Sequence, residues 1–233
     1  MKNPRLLIVQ TGTTALHGDY PAWFERALGF AMPVVRAHQG EKLDAERHRP
    51  EGIIVTGSPL SVTEKAPWML RLGDDLLRIG ARGVPVLGVC FGHQLLARAA
   101  GGGVVQNPRG REIGTVRVQL TEAGQRDPLF AWAGAREIEV QATHMDAVDP
   151  LPPGATLLAS NENSAAQAFR LSETVAGVQF HPELWAEAMR DVIESRRDKL
   201  QAEGMDAKAL AAQVREVRAG EVLRAFAEQA RST

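Results

Sequence analysis

Four short apolar runs in the first ninety residues are separated by stretches with helical spacing. This alternation constrains the fold more than any other feature of the chain. Arg5 to Gln10, Pro33 to Ala37, Gly52 to Thr56 and Pro85 to Val89 read as strands. Tyr20 to Leu28 and Pro67 to Ile79 read as helices, the second with an apolar stripe of Leu70, Leu72, Leu76, Leu77 and Ile79. Near-continuous apolar strands joined through helices predict crossover units and a mainly parallel central sheet covered by helices on both faces.

The pattern changes after Gly101-Gly102-Gly103. Ile113 to Leu120, Ile138 to Thr143, Thr156 to Ala159, Ala165 to Leu171 and Val175 to Phe180 read as strands with turns between them. Gly114 to Leu120 alternates at period 2, which predicts a sheet with one wet face, and a small antiparallel sheet is expected here. From Leu184 onward the chain reads as helix, with breaks at Gly204 and Gly220 and with Leu210, Val214 and Val217 on one side of a segment capped by Asp206. The expectation is a three-layer α/β domain over residues 1–190, with a helical C-terminal extension, 191–233, packed on it.

Composition excludes several classes of function. In 233 residues, 44% are hydrophobic and 24% charged, and 27 Lys plus Arg against 28 Asp plus Glu give a net charge of −1. Such a chain has enough apolar surface to fold and no global charge signature for nucleic acid or an anionic membrane. The clusters Arg196-Arg197 with Lys199, and Arg109-Gly110-Arg111, read as solvated faces. No apolar run is long enough to span a bilayer, and the run near the N-terminus has strand length, unlike a signal-peptide core. The six His have no paired ligand spacing and there is one Cys, so neither a metal site nor a cofactor is expected. A lone cysteine also excludes an intrachain disulfide and suits a reducing, cytoplasmic setting.

That cysteine, Cys90, is either a small buried hydrophobe or a working thiol. Its setting favours the thiol: Val86-Leu87-Gly88-Val89-Cys90-Phe91-Gly92-His93-Gln94 is a strand, then Gly-x-Cys-x-Gly, then a helix expected over Gln94 to Ala100. A sharp strand-to-helix turn presents a nucleophile at the carboxyl end of a sheet, and side chains two residues before and after it would collide. The following helix N-terminus favours negative charge on sulfur, and the Phe91 N–H is placed to donate to an oxyanion.

A thiol nucleophile needs a base, and the base needs an orienting group. His93 follows Cys90 too closely on the new helix and reads as structural. His181 ends a strand and is followed by Pro182 and Glu183, so its ring has a carboxylate two residues away. Cys90, His181 and Glu183 together make a complete acyl-transfer triad.

At these residues the chain resembles a class I glutamine amidotransferase, and in particular a free-standing glutaminase half of GMP synthase. Gly88 to Gln94 is similar to the family's nucleophile motif, and Gln179-Phe180-His181-Pro182-Glu183 to its His-Pro-Glu motif. Val55-Thr56-Gly57-Ser58-Pro59 resembles the upstream loop that supplies a second oxyanion N–H, here from Gly57. Glu112-Ile113-Gly114 and Thr143 to Val148 resemble stretches near the glutamine pocket. Neither a Ser-Gly-Gly-x-Asp-Ser loop nor a Gly-x-x-x-x-Gly-Lys-Ser/Thr loop occurs in these residues, so a synthetase half is not expected within them.

The resemblance implies hydrolysis of the glutamine side-chain amide through a Cys90 thioester. Gly57 and Phe91 would form the oxyanion hole, with Gln94, Ser58, Pro59, His144 and Asp146 at the substrate. It implies an ammonia-accepting synthetase as partner, with a second copy of the chain as a further candidate. Two other readings stay open. One is a γ-glutamyl peptidase using the same triad on γ-glutamyl compounds. The other is a regulatory subunit with an idle site, against which the three reactive residues argue. The long tail suits packing on the sheet better than a lid.

Overall fold

The computed structural model describes residues 3–232, so the extreme ends of both expected segments, residues 1–2 and 233, lie outside the described residues. Eleven strands and nine α-helices are present among the described residues. In chain order they are β1 (Leu6–Gln10), α1 (Asp19–Leu28), β2 (Val34–Arg36), α2 (Ala45–His48), β3 (Gly52–Val55), α3 (Pro67–Ala81), β4 (Val86–Val89), α4 (Phe91–Ala99), β5 (Val104–Gln106), β6 (Glu112–Leu120) and α5 (Glu122–Arg126). Then follow β7 (Glu137–His144), β8 (Asp146–Val148), β9 (Thr156–Ser160), β10 (Ala168–Arg170), β11 (Val175–Val178), α6 (Ala186–Ser195), α7 (Arg197–Ala202), α8 (Ala207–Gln213) and α9 (Glu221–Arg231).

Nine strands form one sheet in the order β2-β1-β3-β4-β11-β10-β9-β6-β7, and β5 pairs with β8 in a small antiparallel sheet. The pairs from β2 to β11 are parallel, and those from β11 to β7 are antiparallel. Only β10 and β6 therefore run against the other seven. The fold is the mainly parallel α/β architecture expected from the alternation of strand and helix patterns. Most of the expected antiparallel strands extend the main sheet, and the small sheet comes from two short runs, β5 and β8, that periodicity does not reveal.

Why the apolar runs are continuous is visible in β1. Leu6 and Ile8 point into a core with Phe24 of α1 and Phe226 of α9, while Leu7 and Val9 point into a second core with Leu72 and Leu76 of α3 and Leu95 of α4. Both faces of the strand are covered, so neither set of alternate positions can be polar. A third apolar cluster joins Tyr20 and Trp23 of α1, Ile113 of β6, and Met189 and Val192 of α6.

Several boundaries differ from expectation. The helix after the cysteine starts at Phe91 rather than Gln94, so Cys90 itself is its N-cap residue. The strands expected over Ala165–Leu171 and Val175–Phe180 shorten to β10 and β11. In the tail, Gly204 lies between α7 and α8 at φ 76° and Gly220 precedes α9, as its breaks require. Val214 and Val217 are not helical: α8 ends at Gln213, and the next segment runs beside the sheet, with Arg215 N–H donating to Thr115 Oγ1 at 2.9 Å and Gln141 Nε2 to the Arg215 carbonyl at 2.7 Å. Backbone partners supplied by β6 and β7 outweigh the local helical pattern. No helix among the described residues is long and apolar enough to cross a membrane.

The tail is part of the core rather than an appendage, since Val222, Leu223, Phe226 and Ala230 of α9 are almost fully buried against β1 and its neighbours. Phe226→Ala is expected to lower unfolding stability by about 3–5 kcal/mol, read from the urea midpoint at unchanged slope. A loss within error of zero would place α9 outside the cooperative unit.

Candidate active site

The carboxyl ends of β1, β3, β4 and β11 bring four loops together at one edge of the parallel half. Ligand crevices form in such positions, outside the ends of parallel strands where the strand order reverses. Cys90 directly follows β4. Its backbone sits at φ 51°, ψ −99°, a region that side chains rarely occupy. Its N–H donates to the Val178 carbonyl of β11 at 2.9 Å, and its carbonyl accepts from Gln94 N–H at 3.0 Å.

The two flanking glycines are required by close backbone approach. A Cβ at Gly88 would stand 2.5 Å from the Gly92 carbonyl group, and one at Gly92 would stand 2.6 Å from the Val55 carbonyl oxygen. No rotamer relieves a clash with backbone.

His181 follows β11, and its N–H donates to the Gln141 carbonyl at 2.8 Å. Its Nδ1 lies 2.7 Å from Glu183 Oε1, with both side chains buried. A Cβ at Gly57 would stand 2.9 Å from the imidazole Cε1 and 3.7 Å from Cys90 Cβ, so only glycine leaves room for ring and thiol together. Nε2 is buried with no hydrogen-bond partner of good geometry. Because Nδ1 is taken by Glu183, the side-chain interaction with Cys90 falls to Nε2. Burial pulls the ring's pKa down, but the Glu183 carboxylate and Cys90 outweigh it and raise the value to about 10.

The Gly57 loop is tied to the strand beside it. Thr11 Oγ1 donates to the Thr56 and Gly57 carbonyls, each at 3.0 Å. Anchoring the Thr56 carbonyl on that side turns the N–H of the same peptide, which belongs to Gly57, to the opposite side. Phe91 opens α4, so its N–H has no partner one turn back within the helix. Ser58 Oγ donates to the Thr11 carbonyl at 2.9 Å and accepts from Leu60 N–H at 3.1 Å, which makes its side chain a clip within the loop. Ser58 and Pro59 wall both hollows that open on the sulfur.

One hollow, of about 340 Å³, is lined by Cys90, Phe91, Gln94, Thr143, His144 and Asp146 among others. Gln94 Nε2 donates to the Asp146 carbonyl at 2.9 Å and to Gln179 Oε1 at 3.1 Å. His144 has Nδ1 3.0 Å from the Asp146 carbonyl and Nε2 2.9 Å from Glu112 Oε2. Glu112 also accepts from Asn161 at 2.6 Å and from Gln167 at 2.5 Å. Both ring nitrogens of His144 are therefore occupied within a buried network that shapes the 143–146 loop. The Asp146 carboxylate accepts from Ser61 Oγ at 2.5 Å.

The second hollow, of about 240 Å³, lies on the His181 side of Cys90 and includes Thr13, Leu16, Tyr20, Trp23 and Val192. Burial first, and then Cys90, raise the Tyr20 phenol above its ordinary range, which keeps it neutral. His93 is fully buried against Phe169 at 4.5 Å, where burial lowers its pKa to about 3. A Cβ at Gly177 would stand 2.8 Å from the His93 ring. His93 is thus a neutral packing residue.

The residues missed by sequence reasoning come from the charged clusters. Arg111, Arg196 and Lys199 line the first hollow, and Arg196 lines the second as well. In sequence these clusters match any solvated face. No motif separates them from one, and only tertiary contact brings them to the cleft.

A family model described as glutamine amidotransferase class-I matches residues 25–196. The chain belongs to the class I glutamine amidotransferase family. It is 30% identical over 163 residues to gamma-glutamyl peptidase 4 of Arabidopsis thaliana, covering 69% of this chain and 64% of that protein. It is 36% identical over 154 residues to the glutamine-hydrolysing GMP synthase of Thermosipho africanus, covering 65% of this chain and 28% of the synthase. The chain thus spans less than two thirds of both relatives. The crystal structure of a glutamine amidotransferase from Thermotoga maritima superposes with a TM-score of 0.79 at 22% identity, covering 98% of this chain and 99% of that one, and shows the same fold.

The raised His181 value fixes the sign of a pH effect. Folding favours the protonated ring, so this stabilisation is complete below an unfolded value near about 6.5 and is lost as pH rises through about 10. An NMR titration should place the His181 midpoint near 10, and Glu183→Gln should move it sharply down, because burial then acts with less opposition. An unmoved midpoint would show that Glu183 does not set the ring's charge.

Proposed function

We propose that this chain hydrolyses the side-chain amide of glutamine to glutamate and ammonia through a covalent Cys90 intermediate. The observation that carries this reading is the buried His181–Glu183 pair, 2.7 Å apart, set beside a cysteine held at positive φ. Family membership supports the same general chemistry of amide hydrolysis.

In this scheme the thiol proton already sits on His181, which Glu183 holds, so that Sγ is free to attack. Sγ attacks the amide carbon, and the C=O electron pair moves to oxygen, where the N–H groups of Gly57 and Phe91 receive the charge. Collapse of that adduct breaks the C–N bond, and His181 gives its proton to the departing nitrogen. The ring stays protonated up to about pH 10, which is the form that this step consumes. His181 then takes a proton from water, whose oxygen attacks the thioester; the C–S bond breaks, glutamate leaves, and the sulfur is left as thiolate beside the protonated ring that began the cycle.

Ser58 and Pro59 wall the substrate. Gln94 spends its Nε2 on the scaffold and has its carbonyl oxygen left for the ligand, and His144 acts through the loop that carries Asp146. Glutamine is the substrate, with no cofactor or metal. A separate synthetase takes the ammonia, in the reducing cytoplasm that a free thiol suits.

The hollow on the His181 side favours a second reading. Ammonia needs about the room of one water, on the order of 15 Å³ of such volume, and the hollow offers about 240 Å³. An amine larger than ammonia fits there, as in a γ-glutamyl peptide.

Glutamate release from glutamine and from γ-glutamyl dipeptides decides between the two. Cys90→Ala is expected to lower kcat by on the order of 10⁴ or more while the fold persists; full activity in that variant would end the mechanism. His181→Ala should cost more than Glu183→Gln, because the first removes the proton carrier and the second only its support. The reverse order would show that the two roles are misassigned. Silence on every substrate, with no adduct from a glutamine-like electrophile, would leave an idle regulatory site.

A further inference from the structure

Arg196 caps the end of α6, in the segment after the triad, and its side chain lines both hollows that flank Cys90. Its Nη1 donates to Thr143 Oγ1. Among the described residues no carboxylate lies within ion-pairing distance of it. The nearby candidates are otherwise committed. Glu203 makes a two-pronged pair with Arg111, at 2.7 and 2.9 Å, which holds its carboxyl below the usual range, and Tyr20 is neutral. Burial pulls the guanidinium below its ordinary value, yet a guanidinium stays charged in proteins. A half-buried cation with no carboxylate in ion-pair contact, facing an open cleft it shares with Cys90, is poised to pair with an anion. The cleft carries the opposite sign at Asp146, a pairing that suits an amino acid's two charges.

We propose that Arg196 is a specificity residue that binds a carboxylate of the substrate. It rests on the γ-glutamyl amide reading of the site. The carboxylate has two sources, the α-carboxylate of the glutamyl group in the first hollow or a carboxylate on the departing amine in the second. In both cases the extension after the triad supplies part of substrate recognition.

Calorimetric binding to the Cys90→Ala protein tests this without turnover. The probes are glutamine against its α-amide, and γ-glutamylalanine against the same dipeptide with its alanine carboxylate amidated. Arg196→Gln, introduced into that protein, is expected to weaken binding of the carboxylate member of a pair by about 10- to 100-fold and to leave the amidated member unchanged. Arg196→Lys should recover part of the loss. Loss of discrimination in the glutamine pair assigns the α-carboxylate, and loss in the dipeptide pair alone assigns the leaving side.

Retained discrimination in Arg196→Gln overturns the proposal, as does equal binding of both members of each pair, or no binding of any probe, before that substitution. If Arg196→Gln, in the chain that keeps its thiol, shifts only the pH profile of Cys90 alkylation, the arginine serves the sulfur and the proposal also fails. Carboxylate discrimination in the Cys90→Ala protein, with no turnover by the unmodified chain, would instead sink the catalytic reading and leave the anchor standing.

Discussion

Cys90 keeps its backbone at φ 51°, ψ −99° because the chain around it has no space to relax. A non-glycine residue in such a region costs on the order of 1–3 kcal/mol. Contacts on every side offset that cost. The Cys90 N–H is fixed to β11, and Gly88 and Gly92 approach backbone so closely that a single extra carbon at either would meet a carbonyl group within 2.6 Å. Gly92 abuts the end of β3, whose continuation carries Gly57, and Gly57 abuts both the Cys90 Cβ and the His181 ring. One strained turn therefore sets where the other loops can lie.

Charge is handled by local pairing rather than by the chain's net balance. Glu183 and Cys90 hold the buried His181 protonated against the cost of burial. His93, three residues from the thiol and equally buried, lacks any carboxylate and is held neutral. Two buried histidines thus carry opposite protonation states, decided by whether a carboxylate was buried beside the ring. Glu112 anchors the His144 ring through Nε2, with Asn161 and Gln167 donating to the same carboxylate. That network holds a loop whose carbonyl at Asp146 receives both Gln94 and His144.

The tail shows how one segment serves two ends. Its α6 and α8 cover Tyr20, Trp23 and Ile113, while α9 seals a face of the sheet. At the turn between α6 and α7 it also puts a guanidinium into the cleft. Packing and site construction are therefore not alternatives for this segment. The helix whose apolar side is buried presents its end to the sulfur.

The parallel half of the sheet was legible in the sequence because strands buried on both faces must be apolar at every position, as Leu6 to Val9 are. The thiol turn was legible because close backbone approach admits only glycine at Gly88 and Gly92, and the His181–Glu183 pair because two residues of separation keep ring and carboxylate together. The extended run after Gln213 and the short strands β5 and β8 were not, since the partners of their backbone groups come from remote segments. Arg196 and Lys199 looked like any solvated charge, and their place beside Cys90 was decided by tertiary structure alone. Local patterns record what neighbouring backbone and burial demand of a residue. What a long charged side chain meets at its far end depends on how distant segments pack.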